Sequence, residues 1–242
     1  MTNKKSSMNA PKATDIPFDR KVVLSEALRR RILNMELAPG AVVDEIALGN
    51  EFGLSRPPVR GLLRQIAAEG YIELETNRAP RVAAMNHDSL RSFFLAAPLI
   101  YIATTQLAAL HASDAEIEQL KRIQQQFRQA IDSKDVENRV ILNDAFHLEI
   151  GKMAHNEYLM PSLRRLLIDH ARLGRIFYRH PTTDDMQRDL ELACDQHDQM
   201  IDAIERRDPQ AATQIVQAHW ELSRRRMAEY TAPSGVEVAL AY

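Results

Sequence analysis

The stretch LSRPPVRGLLRQIAAEG, residues 54–70, determines how the N-terminal third of this 242-residue chain can fold. Ser55 is a helix-capping residue, and Pro57 and Pro58 follow it where the first turn of a helix tolerates a missing backbone N–H. Apolar residues then recur three and four positions apart until a glycine at residue 70. The pattern therefore predicts a helix that begins at Arg56.

Two helices and a hairpin flank this segment. Apolar spacing predicts a helix over residues 22–37 and a short helix over residues 45–52. Residues 71–75 alternate as a strand does, and residues 81–83 can pair with them across a turn at 76–80. Helix, short helix, turn, helix and hairpin form the plan of a winged helix-turn-helix, whose last helix enters the major groove of DNA.

In this plan the start of the last helix and the tip of the hairpin face DNA. Arg56 and Arg60 are four residues apart and share one helix face, where arginines and free backbone N–H groups can meet bases and phosphates. Ordinary solvated helix charge is the alternative, and the ordered set of elements argues against it. The residues predicted to contact DNA are Ser55, Arg56, Pro57, Pro58, Arg60, Asn77 and Arg78.

The rest of the chain reads as helical, so we expect a mainly α protein. Periodic apolar residues predict helices over 90–110, 114–133, 137–154, 158–178, 184–206 and 209–230. The predicted organisation is a disordered tail at 1–15, a winged helix-turn-helix domain at 16–84, a linker at 85–89, an all-α bundle of about six helices at 90–230, and a loose C-terminal tail at 231–242.

Composition favours a cytoplasmic protein with no membrane partner. Hydrophobic residues are 45% and charged residues 26% of the chain, as in soluble globular proteins. The longest apolar run, Phe93–Ala103, is about half of the roughly 20 residues that cross a bilayer. No apolar stretch follows the basic N-terminus, and the single Cys194 cannot form an internal disulfide. The net charge of −2 says nothing about nucleic acid by itself.

Three histidines have informative positions. His197 and His219 stand eleven residues before and after Asp208, where two predicted helices join. In an antiparallel helical hairpin, equal distances from the turn give equal heights along the bundle. If a third helix brings His147 to that height, three imidazoles can bind one divalent ion, with Zn or Ni suited to nitrogen ligands. From spacing alone, three unrelated core or surface histidines remain an alternative.

The N-terminal motif resembles the signature of GntR-type bacterial repressors. The resemblance is carried by residues 54–60, 63–64 and 68–70, and by the turn at 37–40. Pro57 stands where threonine is common and Gly61 where glutamate is common. The resemblance implies a winged helix-turn-helix that binds operator DNA, and the hydroxyl lost at Pro57 implies a different target sequence.

The helical part resembles the FCD effector domain of the FadR branch of these regulators. The resemblance is carried by residues 146–147, 154–159, 196–197, 201–204 and 218–219. It implies an aspartate and three histidines that hold a metal ion beneath a carboxylate-binding cavity. The matching positions are Asn143, His147, His197 and His219. Asparagine at 143 removes a negative charge, so we expect weaker metal binding or an ion that relies more on an anionic effector.

The effector contacts also depart from that family. Its first effector-domain helix commonly carries an arginine where this chain has Ala97. Arg172 and Arg175 are the remaining candidates to bind an anionic group, since arginine can hold a carboxylate through two hydrogen bonds. Tyr101 and Tyr178 are further candidates, and a solvated helix face is the alternative for both arginines.

The sequence as a whole predicts a ligand-responsive transcription regulator, a repressor, and not an enzyme. Two copies would form a homodimer through the helical domain and bind a pseudo-palindromic operator, and a small carboxylate metabolite would bind beside the metal. A metal-dependent enzyme is one alternative, because three histidines around an ion can activate water. Glu149, however, points away from His147, and the N-terminal domain would be unexplained. A metal-sensing regulator is the other alternative.

Overall fold

The computed structural model describes residues 19–177 and 184–231, with only the backbone described at 177 and 226–231. The tail predicted at 1–15 lies outside this part of the chain, as does the predicted C-terminal tail beyond Thr231. The described elements, in chain order, are α1 (Arg20–Leu33), α2 (Glu45–Phe52), α3 (Arg56–Ala68), β1 (Ile72–Glu73), β2 (Arg81–Val82), α4 (His87–His111), α5 (Asp114–Asp132), α6 (Val136–Met153), α7 (Leu159–Phe177), α8 (Asp184–Glu205) and α9 (Pro209–Thr231). The prediction of a mainly α protein with a helix-turn-helix and a helical C-terminal domain is confirmed.

A head formed by α1, α2, α3 and the β1–β2 hairpin has its own apolar core. Asp44 accepts hydrogen bonds from the backbone N–H groups of Ile46 and Ala47 and so begins α2. Gly53 ends α2 at a φ of 63°, a left-handed conformation that favours glycine. The core of the head is built mainly from Leu24, Leu28, Ile32, Val59, Leu63 and Ile66.

The first helix ends earlier than its apolar spacing predicts. The prediction ran to residue 37, but α1 ends at Leu33, and Met35 follows at a φ of 59°. The backbone N–H groups of Glu36 and Leu37 both donate to the carbonyl of Arg31, at 2.9 and 3.1 Å. The chain therefore turns back over the last turn of α1 instead of continuing the helix.

The hairpin is also shorter than predicted. β1 and β2 contain two residues each, with Ile72 opposite Val82 in antiparallel register. Pro80 precedes β2 and has no backbone N–H to extend the ladder, which limits the strand. Arg81 also forms an isolated bridge with Val42, so the segment before α2 joins the edge of the hairpin.

Six helices, α4 to α9, form the C-terminal bundle, with α4 packed against α6, α7, α8 and α9. α4 begins at His87, where the Asn86 side chain accepts a hydrogen bond from the backbone of Ser89. Helix therefore occupies three of the five residues predicted as the 85–89 linker. By length and composition α4 could span a membrane, but half of its apolar stretch is buried inside the protein, as in the core helix of a soluble domain.

Candidate functional site

The N-terminal end of α3 presents arginines to solvent. Arg56, Arg60 and Arg64 are all exposed and lie four residues apart on one helix face. Arg60 forms an ion pair with Glu45 of α2, with Nε 2.9 Å from the carboxylate. Arg56 has no ion pair with any residue that the structure describes. The first arginine of this face is therefore free to bind a phosphate or a base.

The backbone at the start of α3 is accessible. Ser55 occupies the N-cap position, but among the described residues its hydroxyl makes no capping hydrogen bond. Pro57 is exposed and Pro58 half-buried. A Cβ built on Gly61 would meet no described atom within 4 Å. This face of α3 is consequently open for close approach of another molecule.

The tip of the hairpin carries the other predicted DNA contacts. Asn77 adopts a left-handed φ of 61°, which asparagine tolerates well, and this places it in the turn between the strands. Arg78 is exposed and forms an ion pair with Glu75 on the same turn. Such an exposed pair contributes little to stability, so Arg78 can exchange Glu75 for a phosphate at low cost.

The structure brings His147 of α6, His197 of α8 and His219 of α9 together in the interior of the bundle. One nitrogen from each lies within 4.8 Å of the others. The Nε2 atoms of His197 and His219 are 3.3 Å apart. Two ligands at the Zn–N distance of about 2.0–2.1 Å and a tetrahedral angle stand about 3.4 Å apart. The spacing therefore suits two ligands of one ion.

Two glutamines orient these imidazoles. Gln124 of α5 pairs through its Oε1 with Nδ1 of His197 at 3.1 Å, and Gln196 pairs in the same way with Nδ1 of His219 at 3.0 Å. Because an amide oxygen accepts, each Nδ1 donates its hydrogen and each Nε2 keeps a lone pair. Nε2 of His147 is buried and has no hydrogen-bond partner among the described atoms. These three side chains fit a nitrogen-ligated divalent ion.

The protonation state also suits metal binding. Burial lowers the pKa of His147 and His197 well below the usual value for histidine, and neighbouring histidines lower it further. Burial lowers the pKa of His219 to about 3. All three are therefore neutral near pH 7, the form in which imidazole binds a metal.

Asn143 lies one helical turn before His147 and lines a cavity between α6, α7, α8 and α9. Its side chain partly offsets the rise in pKa that burial gives the neighbouring Asp144. The cavity has a volume of about 60 Å³. Its polar lining consists of Asn143, Asp144, His170, Asp189, His219 and Ser223. Tyr101 and His147 line a smaller space of about 10 Å³ that shares His170, His219 and Ser223 with the cavity.

A second polar cluster, formed by Tyr101, Asp144 and His170, adjoins the histidines. The Tyr101 hydroxyl is 2.9 Å from Nδ1 of His170, and that nitrogen is 3.9 Å from Oδ1 of Asp144. Burial raises the pKa of Asp144 well above its usual value and lowers that of His170 to about 4. Oδ1 of Asp144 is buried and has no hydrogen-bond partner among the described atoms. Sequence reasoning missed both Asp144 and His170.

The arginines predicted to bind an effector do not line the cavity. Arg172 is fully buried and donates from Nη2 to the carbonyl of Ala83 at 2.6 Å and from Nη1 to Asp169 at 3.0 Å. It therefore links the bundle to the segment after the hairpin instead of facing a ligand. Arg175 is half-buried, and its Nε has no partner among the described atoms. Tyr178 lies outside the described residues.

Family models match nearly the whole described chain. The model described as "Bacterial regulatory proteins, gntR family" matches residues 21–82, and the FCD domain model matches residues 99–222. The HTH-type transcriptional repressor RspR of Escherichia coli K12 is 24% identical over 192 residues, which cover 79% of this chain and 82% of that protein. The uncharacterized HTH-type regulator YdhC of Bacillus subtilis 168 is 23% identical over 197 residues, which cover 80% and 84% of the two chains.

Solved structures share the fold. The E. coli protein McbR/YncC has a TM-score of 0.73 at 15% identity, over 87% of this chain and 98% of that one. A transcriptional regulator GntR from Rhodococcus sp. RHA1 has a TM-score of 0.68 at 14% identity, with the same coverage. At these identities the likeness concerns the arrangement of the elements.

Proposed function

Since the chain belongs to the GntR family of bacterial regulatory proteins and carries an FCD domain, we propose that it is a repressor controlled by a small carboxylate metabolite. The family is one of transcriptional regulators and not of enzymes, which removes the metal-dependent enzyme as an alternative. The repressor role is supported by the similarity to RspR, which is named a repressor. Its place of action is the cytoplasm, where operator DNA lies.

The exposed arginine face of α3 is the observation that carries the DNA-binding part of this proposal. The start of α3 enters the major groove, where Arg56 binds a base or phosphate and Arg60 exchanges Glu45 for DNA. Ser55, Pro57 and Pro58 lie at the same end of the helix. Asn77 and Arg78 at the hairpin tip add contacts to the flanking backbone.

Dimerisation is supported by an apolar strip on α4. Leu95 and Leu99 are 49% and 68% exposed and lie four residues apart, and Leu110 lies further along the same helix at 53%. A second copy of the chain would cover this strip and bring two heads to a pseudo-palindromic operator. One small head alone supplies too few contacts for a specific operator.

His147, His197 and His219 would hold the divalent metal ion, with zinc or nickel as the best match to nitrogen ligands. The carbonyl oxygen of Asn143 is the candidate for a fourth ligand. A bound ion would supply positive charge that attracts the carboxylate of the effector. The positive charge of an ion matters more in this chain because Ala97 stands where related effector domains use an arginine. In addition, Arg172 is already bonded to the carbonyl of Ala83.

Helix α7 is the proposed route from effector to DNA. His170 and Ala171 line the cavity, while Arg172, held by Asp169 on the same helix, donates to the carbonyl of Ala83 next to the head. A ligand that favours one position of α7 therefore favours one placement of the head, which is what linkage between the two sites requires.

Operator selection and metal analysis test the proposal together. The full-length protein would be used to select DNA duplexes from a random-sequence pool. Its affinity for the selected duplexes would then be measured by band shift. We expect a pseudo-palindrome bound by two copies, with affinity changed by carboxylate metabolites. Chelation then separates the alternatives. Regulation by a carboxylate that survives chelation removes the metal-sensing alternative, whereas operator binding that follows the metal alone, with no carboxylate present, supports it.

A further inference from the structure

The cavity beside the histidine site has an unusual lining for a pocket that receives an acid. Two carboxylates, Asp144 and Asp189, line it, and no lysine or arginine does so in the part of the chain that the structure describes. A metal ion could attract one end of a ligand, but the remaining described lining offers no cationic side chain to an anion.

Asp144 is the residue of this lining whose side chain most clearly lacks a hydrogen-bond partner. Its side chain keeps 19% of its surface exposed, yet its Oδ1 is buried and has no hydrogen-bond partner among the described atoms. The nearest positive candidate, Nδ1 of His170, is 3.9 Å away and is engaged by the Tyr101 hydroxyl. Buried carboxylate oxygens are normally paired, because leaving them without a donor is costly. The oxygen therefore lacks a donor that a ligand can supply.

The metal does not supply that partner. Asp144 does not belong to the group of side chains whose ligand atoms lie within 4.8 Å of one another, which comprises His147, His197 and His219. The adjacent Asn143 also leaves Oδ1 of Asp144 without a donor. A ligand in the cavity can reach Asp144 directly, since the same space is lined by His219 at one side and Asp144 at another.

We propose that the effector carries an ammonium group, which binds Asp144, in addition to the carboxylate directed at the metal site. This inference rests on the proposed function, because it names the second end of the same ligand. The cavity volume of about 60 Å³ corresponds to about four water molecules, so the matching class is a small amino acid. The ammonium ion supplies both the charge and the hydrogen-bond donors that Oδ1 lacks.

Matched pairs of probes test the proposal. Full-length protein loaded with one equivalent of zinc would be titrated by calorimetry with glycine against glycolate, and with β-alanine against 3-hydroxypropionate. Each pair differs only in the replacement of ammonium by hydroxyl. We expect the amino member to bind at least about tenfold more tightly, as a charge-assisted pair implies. Asp144→Asn would reduce this preference to about twofold or less and leave the affinity for the hydroxy acids in place.

Asp195→Asn is the matched control, because Asp195 lies on α8 with 62% of its side chain exposed and does not line the cavity. It would leave the preference unchanged. If Asp144→Asn does not fold, the wild-type preference across the two pairs decides the question.

Equal or tighter binding of the hydroxy acids overturns this inference and leaves the carboxylate-controlled repressor intact. Absence of binding by both amino acids overturns it as well. Failure of the proposed function has a different signature, because it consists of the loss of specific operator binding, which these titrations do not measure.

Discussion

Arg172 donates a hydrogen bond to the carbonyl of Ala83 across 2.6 Å, and this contact joins the cavity-lining helix α7 to the DNA-binding head. The guanidinium is fully buried and also binds Asp169. Burial lowers the pKa of Arg172, although Asp169 opposes that shift. The buried guanidinium of Arg172 lies where the head meets the C-terminal bundle. It is therefore the first group to substitute in a test of the coupling between them.

Arg172→Gln should loosen the head and uncouple it from the effector. The substitution removes the donor to Ala83 and leaves Asp169 with one partner fewer, so we expect the free energy of unfolding to fall by about 1–3 kcal/mol. Operator binding should survive but respond less to ligand. Denaturant unfolding and band shifts with and without effector measure the two effects.

Arg165→Gln is the control for this variant. Arg165 binds the same Asp169 but is 42% exposed, and none of its described hydrogen bonds reaches the head. Its side chain does pack against Gly70 of the head, and glutamine keeps the Cδ atom that lies there. We expect a loss of at most about 1 kcal/mol and a normal response to effector. Equal effects of the two substitutions would show that Asp169, and not the contact with Ala83, is what matters.

Arg56→Ala should weaken operator binding without changing stability. The side chain is exposed and has no ion pair with a described residue, so its removal costs the fold little. The loss of a base contact is expected to cost about 1–3 kcal/mol and to relax sequence preference at one position. Arg122→Ala, on the exposed face of α5, should bind the operator as the wild type does. Unchanged affinity for Arg56→Ala in band shifts would remove α3 as the recognition helix.

The helix-turn-helix was predictable because its signals are local. A capping position, two prolines and apolar spacing all lie within the first turns of α3, and the structure begins that helix at Arg56. The end of α1 was not predictable in this way. Nothing in the sequence marks Met35 as left-handed, since methionine has no preference for that conformation.

Some contacts of the histidine site were likewise predictable from local sequence, and others depend on how the helices pack. The pairing of His197 with His219 follows from counting residues on either side of a single turn, which is local information, and the structure places their Nε2 atoms 3.3 Å apart. Asp144 and His170 meet only through the packing of α6 on α7, which no spacing rule reports. Gln124 did leave a signal: it is a polar residue on the buried apolar stripe of α5, between Leu120 and Phe127.

Removal of one orienting glutamine should weaken metal binding. Gln124→Leu deprives Nδ1 of His197 of its acceptor, so the ring can turn or change tautomer. We expect the affinity for zinc to fall by about 10–100-fold, measured by competition with a chromophoric chelator. His197→Gln should lower the affinity for zinc further, because it removes one of the metal ligands. His111→Gln, at the exposed end of α4, is the control and should bind one zinc ion per chain. Wild-type affinity in Gln124→Leu would contradict the orienting role.

Acid should destabilise the metal-free protein, in part through His170. The pKa of His170 is about 4 in the folded state and about 6.5 in the unfolded state, so the unfolded chain binds the proton more tightly. The stability that this histidine contributes is complete above about pH 6.5 and is lost as the pH falls toward 4, by up to about 3 kcal/mol. Asp144, with its raised pKa, acts in the opposite sense, so the comparison must be between variants.

His170→Gln isolates this contribution. Its free energy of unfolding, measured with chelator present at intervals between pH 4 and 7, should fall less steeply with acid than that of the wild type. His155→Gln is the control and its curve should run parallel to that of the wild type, because His155 is 52% exposed and pairs with Glu116 at the surface. Parallel curves for His170→Gln and the wild type would mean that the buried imidazole does not titrate as the geometry requires.

Leu99→Glu should separate the two copies of the chain. Leu99 is the most exposed of the apolar side chains on α4, at 68%, and it has room for glutamate in the monomer. In a dimer that covers the strip, the carboxylate would be buried without a partner, and we expect a loss of about 2 kcal/mol or more, a rise of about thirtyfold in the dissociation constant. Leu192→Glu, on α8 at 43% exposure, is the matched control. Sedimentation of both variants decides whether α4 forms the interface. If Leu192→Glu dissociates the dimer and Leu99→Glu does not, the contact lies on the α8 side of the bundle, and operator affinity should then follow the α8 variant instead.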